Sequence, residues 1–193
     1  MRNIILASKS ERRRKLLERE GIEFEIVPAD IDENHYFSDS ISINDIVMLV
    51  ATEKARKVAH KYKEHFIIGA DTVVLIGSKI LGKPDSRDHA LYMLQLLSGK
   101  KHNVITGVTI LYSKTMEAVS TFDNTGVIFK SLSLKEIDNY LDKIDYLDKA
   151  GSYAIQEYGE LLIDDIEGNI DNVIGLPVKR TIELLNNFKH NVD

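Results

Sequence analysis

Apolar and polar positions alternate along this chain in short blocks, a pattern that predicts strands separated by amphipathic helices. The first apolar block, Asn3–Leu6, predicts a short buried strand, and Ala7–Ser10 predicts the turn that follows it. A helix is predicted to begin at Glu11, with Ser10 as its N-cap, and Gly21 suits the C′ position that ends it. The chain therefore starts as strand, loop and helix.

A second strand, Phe24–Val27, is predicted to end at Pro28, and Ser42 is predicted to cap a long helix that runs to about Lys63. Apolar residues recur along this helix at helical spacing and form one stripe: Ile43, Val47, Val50 and Val58. Lys54 interrupts the stripe. Two interpretations stay open: the lysine lies on a partly buried face and carries its ammonium to water, or the ammonium reaches into a cleft.

The rest of the chain continues the alternation of strands and helices. In order, the predicted elements are a buried strand Phe66–Ile76, a hairpin turn at Gly77-Ser78 into Ile80-Leu81, a helix from about Arg87 to Gly99, two long strands Asn103–Leu111 and Met116–Phe129, a helix opened by a capping box at Ser133 and Glu136, loop and strand over Asp148–Gln156 and Glu160–Glu167, and a final helix from Pro177. Helices between strands, together with antiparallel hairpins, predict a mixed α/β sheet covered by helices.

The composition narrows the class of protein. The 193 residues suit one domain, with room for two lobes that share a sheet, and 44% hydrophobic and 28% charged residues are typical of a soluble globular protein. A net charge of −5 argues against a general nucleic-acid or anionic-membrane binder. The absence of cysteine excludes disulfides and thiolate chemistry. With no visible signal peptide or membrane-spanning apolar run, we expect a cytoplasmic protein.

The start of the first helix is a candidate anion site. The hydroxyls of Ser8 and Ser10 precede three consecutive arginines, Arg12–Arg14, where the N–H groups of the helix N-terminus also lie. The sequence contains no P-loop and no G-x-G-x-x-G, so such a phosphate site would work without a glycine-rich loop. The alternative is an ordinary basic surface helix.

Asp71 is the main catalytic candidate, because a carboxylate in an otherwise apolar strand must be paired or bound to a metal. The alternative is an aspartate satisfied by nearby backbone N–H groups or placed at a strand end. Lys83 follows one hairpin later in a Gly-Lys-Pro loop, and Asp32 or Glu33 could supply a second carboxylate. Two carboxylates with cationic side chains nearby suit Mg²⁺ and the activation of a water molecule.

Gln156 is a candidate for base recognition. Its amide offers both a donor and an acceptor, and it follows the aromatic Tyr153 on a predicted strand. The alternative is an ordinary polar strand residue. No histidines have the spacing of metal ligands, so zinc is not expected, and we interpret all of them as surface or structural residues: His35, His60, His65, His89, His102 and His190.

Six short motifs, each weak by itself, occur in a specific order across nearly the whole chain. They are Ala7-Ser8-Lys9-Ser10-Glu11-Arg12-Arg13, Gly69-Ala70-Asp71-Thr72, Gly82-Lys83-Pro84, Asp148-Lys149-Ala150-Gly151, Tyr153-Ala154-Ile155-Gln156 and Asn172-Val173-Ile174-Gly175-Leu176-Pro177. In this order and spacing the chain resembles the Maf (septum-formation) family of nucleoside triphosphate pyrophosphatases.

The resemblance implies a single Maf-like domain over residues 1–193, with a mixed, strongly twisted α/β sheet, flanking helices and two lobes around a cleft, related to inosine triphosphate pyrophosphatases. It implies metal-dependent hydrolysis between the α- and β-phosphates of a nucleoside triphosphate, with Mg²⁺ expected and Mn²⁺ as the other candidate. The sequence does not define the oligomeric state, although a homodimer is common among such enzymes. No nucleic-acid or membrane partner is expected.

The resemblance also assigns roles to matched positions. Asp71 corresponds to the catalytic proton acceptor, and Glu33 helps to hold the metal together with it. The phosphate-binding positions are Ser8, Arg13, Lys54 and Lys83. Arg12, Thr72 and Gln156 stand where the family tunes base choice, and these residue types resemble the subgroup that acts on dTTP and UTP.

Two residues depart from the family pattern. Glu11 stands where the family usually has proline, and it would repel phosphate unless its side chain turns away. Glu157 stands where glycine is common after the glutamine. These departures concern nucleotide preference and affinity more than the reaction. The alternatives are a preference for 7-methyl-GTP or inosine-type triphosphates, a nucleotide-binding regulator of cell division with little catalysis, and a nucleic-acid-binding protein.

Overall fold

The computed structural model describes residues 4–36 and 41–192. Its strands are β1 Ile4–Leu6, β2 Glu25–Ile26, β3 Phe66–Ile76, β4 Lys79–Leu81, β5 Lys101–Tyr112, β6 Glu117–Phe129 and β7 Ile163–Glu167. Its helices are α1 Glu11–Arg19, α2 Ile43–Ala59, α3 Arg87–Leu97, α4 Leu134–Leu141, α5 Ile170–Ile174 and α6 Val178–Val192. Short 3₁₀ turns occupy Glu33–Tyr36, Ala150–Ser152 and Gly159–Leu161. Asn3 of the predicted first strand lies outside the described residues.

The strands form one mixed sheet, which confirms the predicted fold class. The strand order is β2-β1-β3-β5-β6-β7, and β4 pairs with β3. β1 pairs in parallel with both β2 and β3, whereas the β3–β4 and β6–β7 pairs are antiparallel. The parallel pairs are joined through α1 and α2, as parallel connections require.

Several helix and turn signals in the sequence are confirmed. Ser10 accepts the Arg13 backbone N–H as the N-cap of α1, and Ser133 forms the predicted capping box with Glu136 at α4. Gly21 ends α1 with a φ of +69°. Its N–H donates to the Glu18 carbonyl and the Ile22 N–H donates to the Leu17 carbonyl, which is the Schellman arrangement. These signals succeed because each depends on a few neighbouring residues.

Other predicted boundaries are wrong. α2 ends at Ala59 rather than near Lys63, because the N–H groups of Lys61 and Tyr62 bond to carbonyls three residues earlier and close a tight turn. β2 contains two residues instead of four. The short helix α5 was not predicted, since its five residues carry too few positions to show a helical period.

The chain divides into two compact units. Unit 1 contains Met1–Asp71, Thr106–Asp123 and Gly175–Asp193. One of its cores is formed by side chains of β1, α2, β3 and β5: Ile5, Ala7, Ala55, Val58, Ala59, Ile67 and Leu111. The unit thus holds the first helix, the long helix α2 and the first part of β3.

Unit 2 contains Thr72–Ile105 and Asn124–Ile174. Its core joins α3 and α4 to the strands of this unit, with Leu94, Leu97, Val104, Phe129, Ile137, Tyr140 and Tyr153 among the buried members. Tyr140 is the largest fully buried side chain in the described part of the protein.

Candidate functional site

The centre of the candidate site is a buried lysine shared by two carboxylates in unit 1. The Lys54 Nζ atom lies 2.7 Å from Asp71 Oδ1 and 2.7 Å from Glu33 Oε1, and it donates to the Ala70 carbonyl at 3.3 Å. Lys54 is 6% exposed and Asp71 is 4% exposed. The ammonium does not reach bulk water, so the surface interpretation of Lys54 is wrong. The alternative of an Asp71 satisfied only by backbone N–H groups is wrong as well.

Two glycines allow α2 to lie close enough to the sheet for this contact. A Cβ atom on Gly69 would stand 2.0 Å from the Ala51 carbonyl oxygen, and one on Gly107 would stand 2.4 Å from the Val47 carbonyl carbon. Neither distance is tolerable for a side chain. Lys54 follows Ala51 by less than one helical turn, so the close approach at Gly69 brings it beside Asp71, two residues further along the same strand.

Arg13 is held by a backbone carbonyl and a serine in the same unit. Its Nε–H donates to the Gly175 carbonyl at 2.8 Å, and its Nη1 donates to Ser8 Oγ at 3.4 Å. Gly175 has a φ of +127°, a conformation that side-chain-bearing residues rarely adopt. Ser8 Oγ also accepts the Ser10 backbone N–H at 3.2 Å. The last of the six motifs therefore orients an arginine of the first.

The charges of Asp71 and Glu33 affect the pKa of Arg13. Burial lowers the pKa of the Arg13 guanidinium, whereas the nearby charges of Asp71 and Glu33 raise it and that of Arg12 lowers it further. Arginine stays protonated under such shifts. Unit 1 therefore brings together Ser8, Arg13, Glu33, Lys54 and Asp71: three hydrogen-bonding or cationic groups and two carboxylates.

Glu11 turns away from this cluster. Its carboxylate lies 2.6 Å from Arg14 Nη2 on the outer face of α1, and its side chain is 67% exposed. The repulsion of phosphate expected from an acidic residue in this turn is therefore reduced by distance, by pairing and by solvent. Arg12 is half-buried on the same helix.

The remaining predicted residues lie in unit 2. Thr72 is half-buried at the point where β3 enters the unit, and Lys83 is exposed next to the buried ring of Pro84. The carbonyl of Gly82, which precedes the lysine, accepts the Gly151 N–H at 3.0 Å. The Gly-Lys-Pro loop is thus fixed by a neighbouring turn, as its composition predicts.

Gln156 lies in a turn, so its predicted place on a strand is wrong. The backbone leaves the extended state at Gly151 and Ser152, whose φ angles are +67° and +66°, and turns again over residues 155–158. Glu157 pairs with the buried Lys149, the two atoms Oε2 and Nζ lying 3.3 Å apart. Gln156 is exposed at this turn.

The oxygen donors of Glu33 and Asp71 have the chemistry to hold a hard divalent cation, because both already converge on one positive group, the Lys54 ammonium. Within residues 4–36 and 41–192, no three His, Asp or Glu side chains come together as a metal site. A cation bound here would therefore take further ligands from a substrate or from water. No helix in this same part of the chain is long and apolar enough to cross a membrane.

Sequence reasoning did not identify the role of Gly175 in the site, and it did not establish the burial of one histidine in unit 2. Gly175 was noted only as part of a motif, and its positive φ cannot be derived from the motif letters. His102, interpreted as a surface or structural residue, is structural: it is 1% exposed and its Nε2 lies 2.7 Å from the Tyr153 hydroxyl. Burial lowers the pKa of His102 to about 4, against a smaller opposing effect of the Lys100 backbone. Burial also raises the pKa of Tyr153.

Known proteins match this chain over nearly its full length. The family described as Maf-like protein matches residues 3–188. A dTTP/UTP pyrophosphatase from Thermoanaerobacter sp. (strain X514) is 45% identical over 183 residues, 94% of each chain. Another of that name from Bacillus cereus (strain B4264) is 45% identical over 188 residues, 97% of this chain and 96% of the relative. Among solved structures, a HAM1 protein from Coxiella burnetii aligns over 99% of this chain and 100% of its own, with 12% identity and a TM-score of 0.45.

Proposed function

Because this chain belongs to the Maf-like protein family, we propose that it hydrolyses dTTP and UTP to the nucleoside monophosphate and pyrophosphate. Two relatives named dTTP/UTP pyrophosphatase, each about as long as this chain, support the nucleotide preference. The observation that carries the proposal is the Lys54 ammonium held between Asp71 and Glu33, in the same compact unit as Arg13. This cluster combines the charges that an anhydride hydrolysis requires.

In the proposed reaction, Asp71 accepts the proton of the attacking water. Its carboxyl group is held by the ion pair with Lys54 where water access is limited, so a proton acceptor is in place before substrate arrives. Lys54 keeps that carboxylate oriented and adds positive charge beside the phosphates. Hydrolysis of an anhydride depends mainly on such positioning and on charge stabilisation of the leaving group.

Phosphate binding is assigned to Ser8, Arg13, Lys54 and Lys83. The Arg13 fork is already oriented by the Gly175 carbonyl and Ser8, which lowers the entropy lost when it binds an anion. Lys83 is presented by a loop that a hydrogen bond to Gly151 holds. Base choice is assigned to Arg12, Thr72 and Gln156, in line with the resemblance of these positions to the dTTP and UTP subgroup.

We also propose that Mg²⁺, or Mn²⁺ in its place, binds at Glu33 and Asp71. A divalent cation there would neutralise the phosphates and activate water. Glu33 and Asp71 would bind the cation, Arg13 orients the nucleotide, and Asp71 is the proton acceptor.

The test is turnover of purified protein on a panel of nucleoside triphosphates with Mg²⁺, with both products identified. We expect dTTP and UTP to be the best substrates and to yield monophosphate and pyrophosphate. Asp71→Asn should lower kcat by about 10²-fold or more, while Asp88→Asn, the same change at an exposed position of α3, should leave it unchanged. Preference for 7-methyl-GTP, no turnover at all, or full activity of Asp71→Asn would contradict the proposal.

A further inference from the structure

The turn that carries Gln156 begins at Ala154, whose backbone N–H and carbonyl are both bonded to a buried tyrosine. The hydroxyl of Tyr140, on α4, accepts the Ala154 N–H at 3.1 Å and donates to the Ala154 carbonyl at 3.5 Å. The Glu157 N–H donates to the same carbonyl at 3.3 Å and so closes the turn around Gln156. One fully buried side chain thus binds both polar groups of the residue from which the turn starts.

The far end of the turn has a second anchor. Lys149 is 4% exposed, and its ammonium donates to the carboxylate of Asp148 at 2.8 Å and to the Asp145 carbonyl, besides its ion pair with Glu157 at 3.3 Å. A buried ammonium needs these partners, because an unpaired one would be strongly disfavoured. Glu157, the departure from the family pattern, directly follows Gln156. Its ion pair with Lys149 therefore fixes the far end of the turn.

The support for Tyr140 is itself rigid. The capping box of Ser133 and Glu136 fixes the first turn of α4, the helix that carries Tyr140. Tyr153, next to Ala154, is bonded through its hydroxyl to the buried His102. Gln156 is exposed, yet the backbone on both sides of it is bonded to buried groups.

We infer that Tyr140 is a positioning residue for nucleotide selectivity: it holds the backbone N–H and carbonyl of Ala154 so that Gln156 presents its amide at one fixed place. This inference rests on the proposed function, since it takes Gln156 to contact the base. An amide discriminates between bases only if it cannot shift to follow a different pattern of donors and acceptors. A loosened turn allows that shift, so selectivity falls while phosphate chemistry continues.

The test measures kcat/KM for dTTP relative to dCTP, dATP and dGTP. Tyr140→Phe removes only the hydroxyl and should reduce the preference for dTTP by about tenfold, with a smaller change in kcat for dTTP. Gln156→Ala should reduce the preference as well, and adding Tyr140→Phe to it should have no further effect on the preference. Tyr112→Phe, a buried tyrosine stacked on Phe66 in unit 1, is the matched control and should retain the wild-type preference.

The outcomes separate the positioning role of Tyr140 from the proposed function. A preference that Gln156→Ala abolishes and Tyr140→Phe leaves intact overturns the inference alone, as does a further loss in the double variant. A wild-type enzyme without preference for dTTP overturns the proposed function and this inference with it. If Tyr140→Phe does not fold, Glu157→Gln loosens the other anchor from a half-exposed position and should reduce the preference by about threefold; an unchanged preference would then overturn the inference.

Discussion

Replacing Lys54 by methionine should be among the most destabilising substitutions on α2, because it leaves a buried carboxylate without its cation. Lys54 and Asp71 are 6% and 4% exposed, and their charged atoms lie 2.7 Å apart. Removing one partner of such a pair costs about 3–5 kcal/mol of unfolding free energy. Glu33, the other partner, has a side chain 31% exposed, so its share is about 1 kcal/mol or less.

The companion variants should follow a specific order. Asp71→Asn leaves Lys54 paired with Glu33 and should cost less than Lys54→Met, about 1–2 kcal/mol. The double variant Lys54→Met/Asp71→Asn should be more stable than Lys54→Met alone, because no charged group remains buried without a partner. The effects of the two substitutions are therefore expected to be non-additive.

Urea unfolding of the four proteins at pH 7 measures these free energies. Arg56→Met is the matched control on the same helix: Arg56 pairs with Glu53 at 2.8 Å, but its side chain is 51% exposed, so the loss should stay below about 1 kcal/mol. Lys54→Met as mild as Arg56→Met, or a double variant that is less stable than Lys54→Met, would refute the buried ion pair.

Three further predictions concern other parts of the molecule. Burial lowers the pKa of His102 to about 4, from about 6.5 in the unfolded chain, so the stability contributed by neutral His102 is complete above pH 6.5 and is lost as the pH falls towards 4. His102→Gln should remove about 3 kcal/mol of this pH dependence of the unfolding free energy. A variant with the wild-type pH dependence would contradict the prediction. Gly69→Ala should destabilise by about 3 kcal/mol or more in urea, since its Cβ would meet the Ala51 carbonyl at 2.0 Å, whereas Gly82→Ala, with nothing within 4 Å, should stay near wild type; equal losses would argue against the close approach. Arg13→Lys keeps the charge but loses the Nε–H donated to a backbone carbonyl, so KM for dTTP should rise about tenfold with a smaller change in kcat; the reverse split would count against a binding role.

The structure clarifies which signals could be predicted from the sequence. Caps and tight turns at Ser10, Gly21 and Ser133 depend on residues within five positions of each other, so a single segment contains the information. The mixed sheet follows from the order of strand and helix patterns. Asp71 was identifiable because a charged residue in an apolar strand is unusual whatever the fold.

Contacts between distant segments could not be predicted in the same way. The partner of Asp71 is Lys54, on another element, and the contact depends on the close approach of α2 at Gly69 and Gly107. No spacing rule applies to such a pair, so both interpretations of the lysine had to stay open. The same is true of the Gly175 carbonyl that orients an arginine far along the chain.

The segment around Gln156 shows why a strand pattern can mislead. Tyr153 and Ala154 are buried, which gives the segment the apolar character of a strand. The Ala154 N–H, however, bonds to the Tyr140 hydroxyl rather than to a neighbouring strand. The predicted conformation is wrong because only the tertiary structure supplies the competing hydrogen-bond partner.

The central claim is that this chain cleaves a nucleoside triphosphate between its α- and β-phosphates, and hydrolysis of dTTP in ¹⁸O-labelled water tests it most directly. The products, separated and identified by mass spectrometry, should be dTMP and pyrophosphate in equal amounts. One ¹⁸O atom should be present in either the dTMP or the pyrophosphate. Formation of dTDP and labelled orthophosphate would contradict the claim.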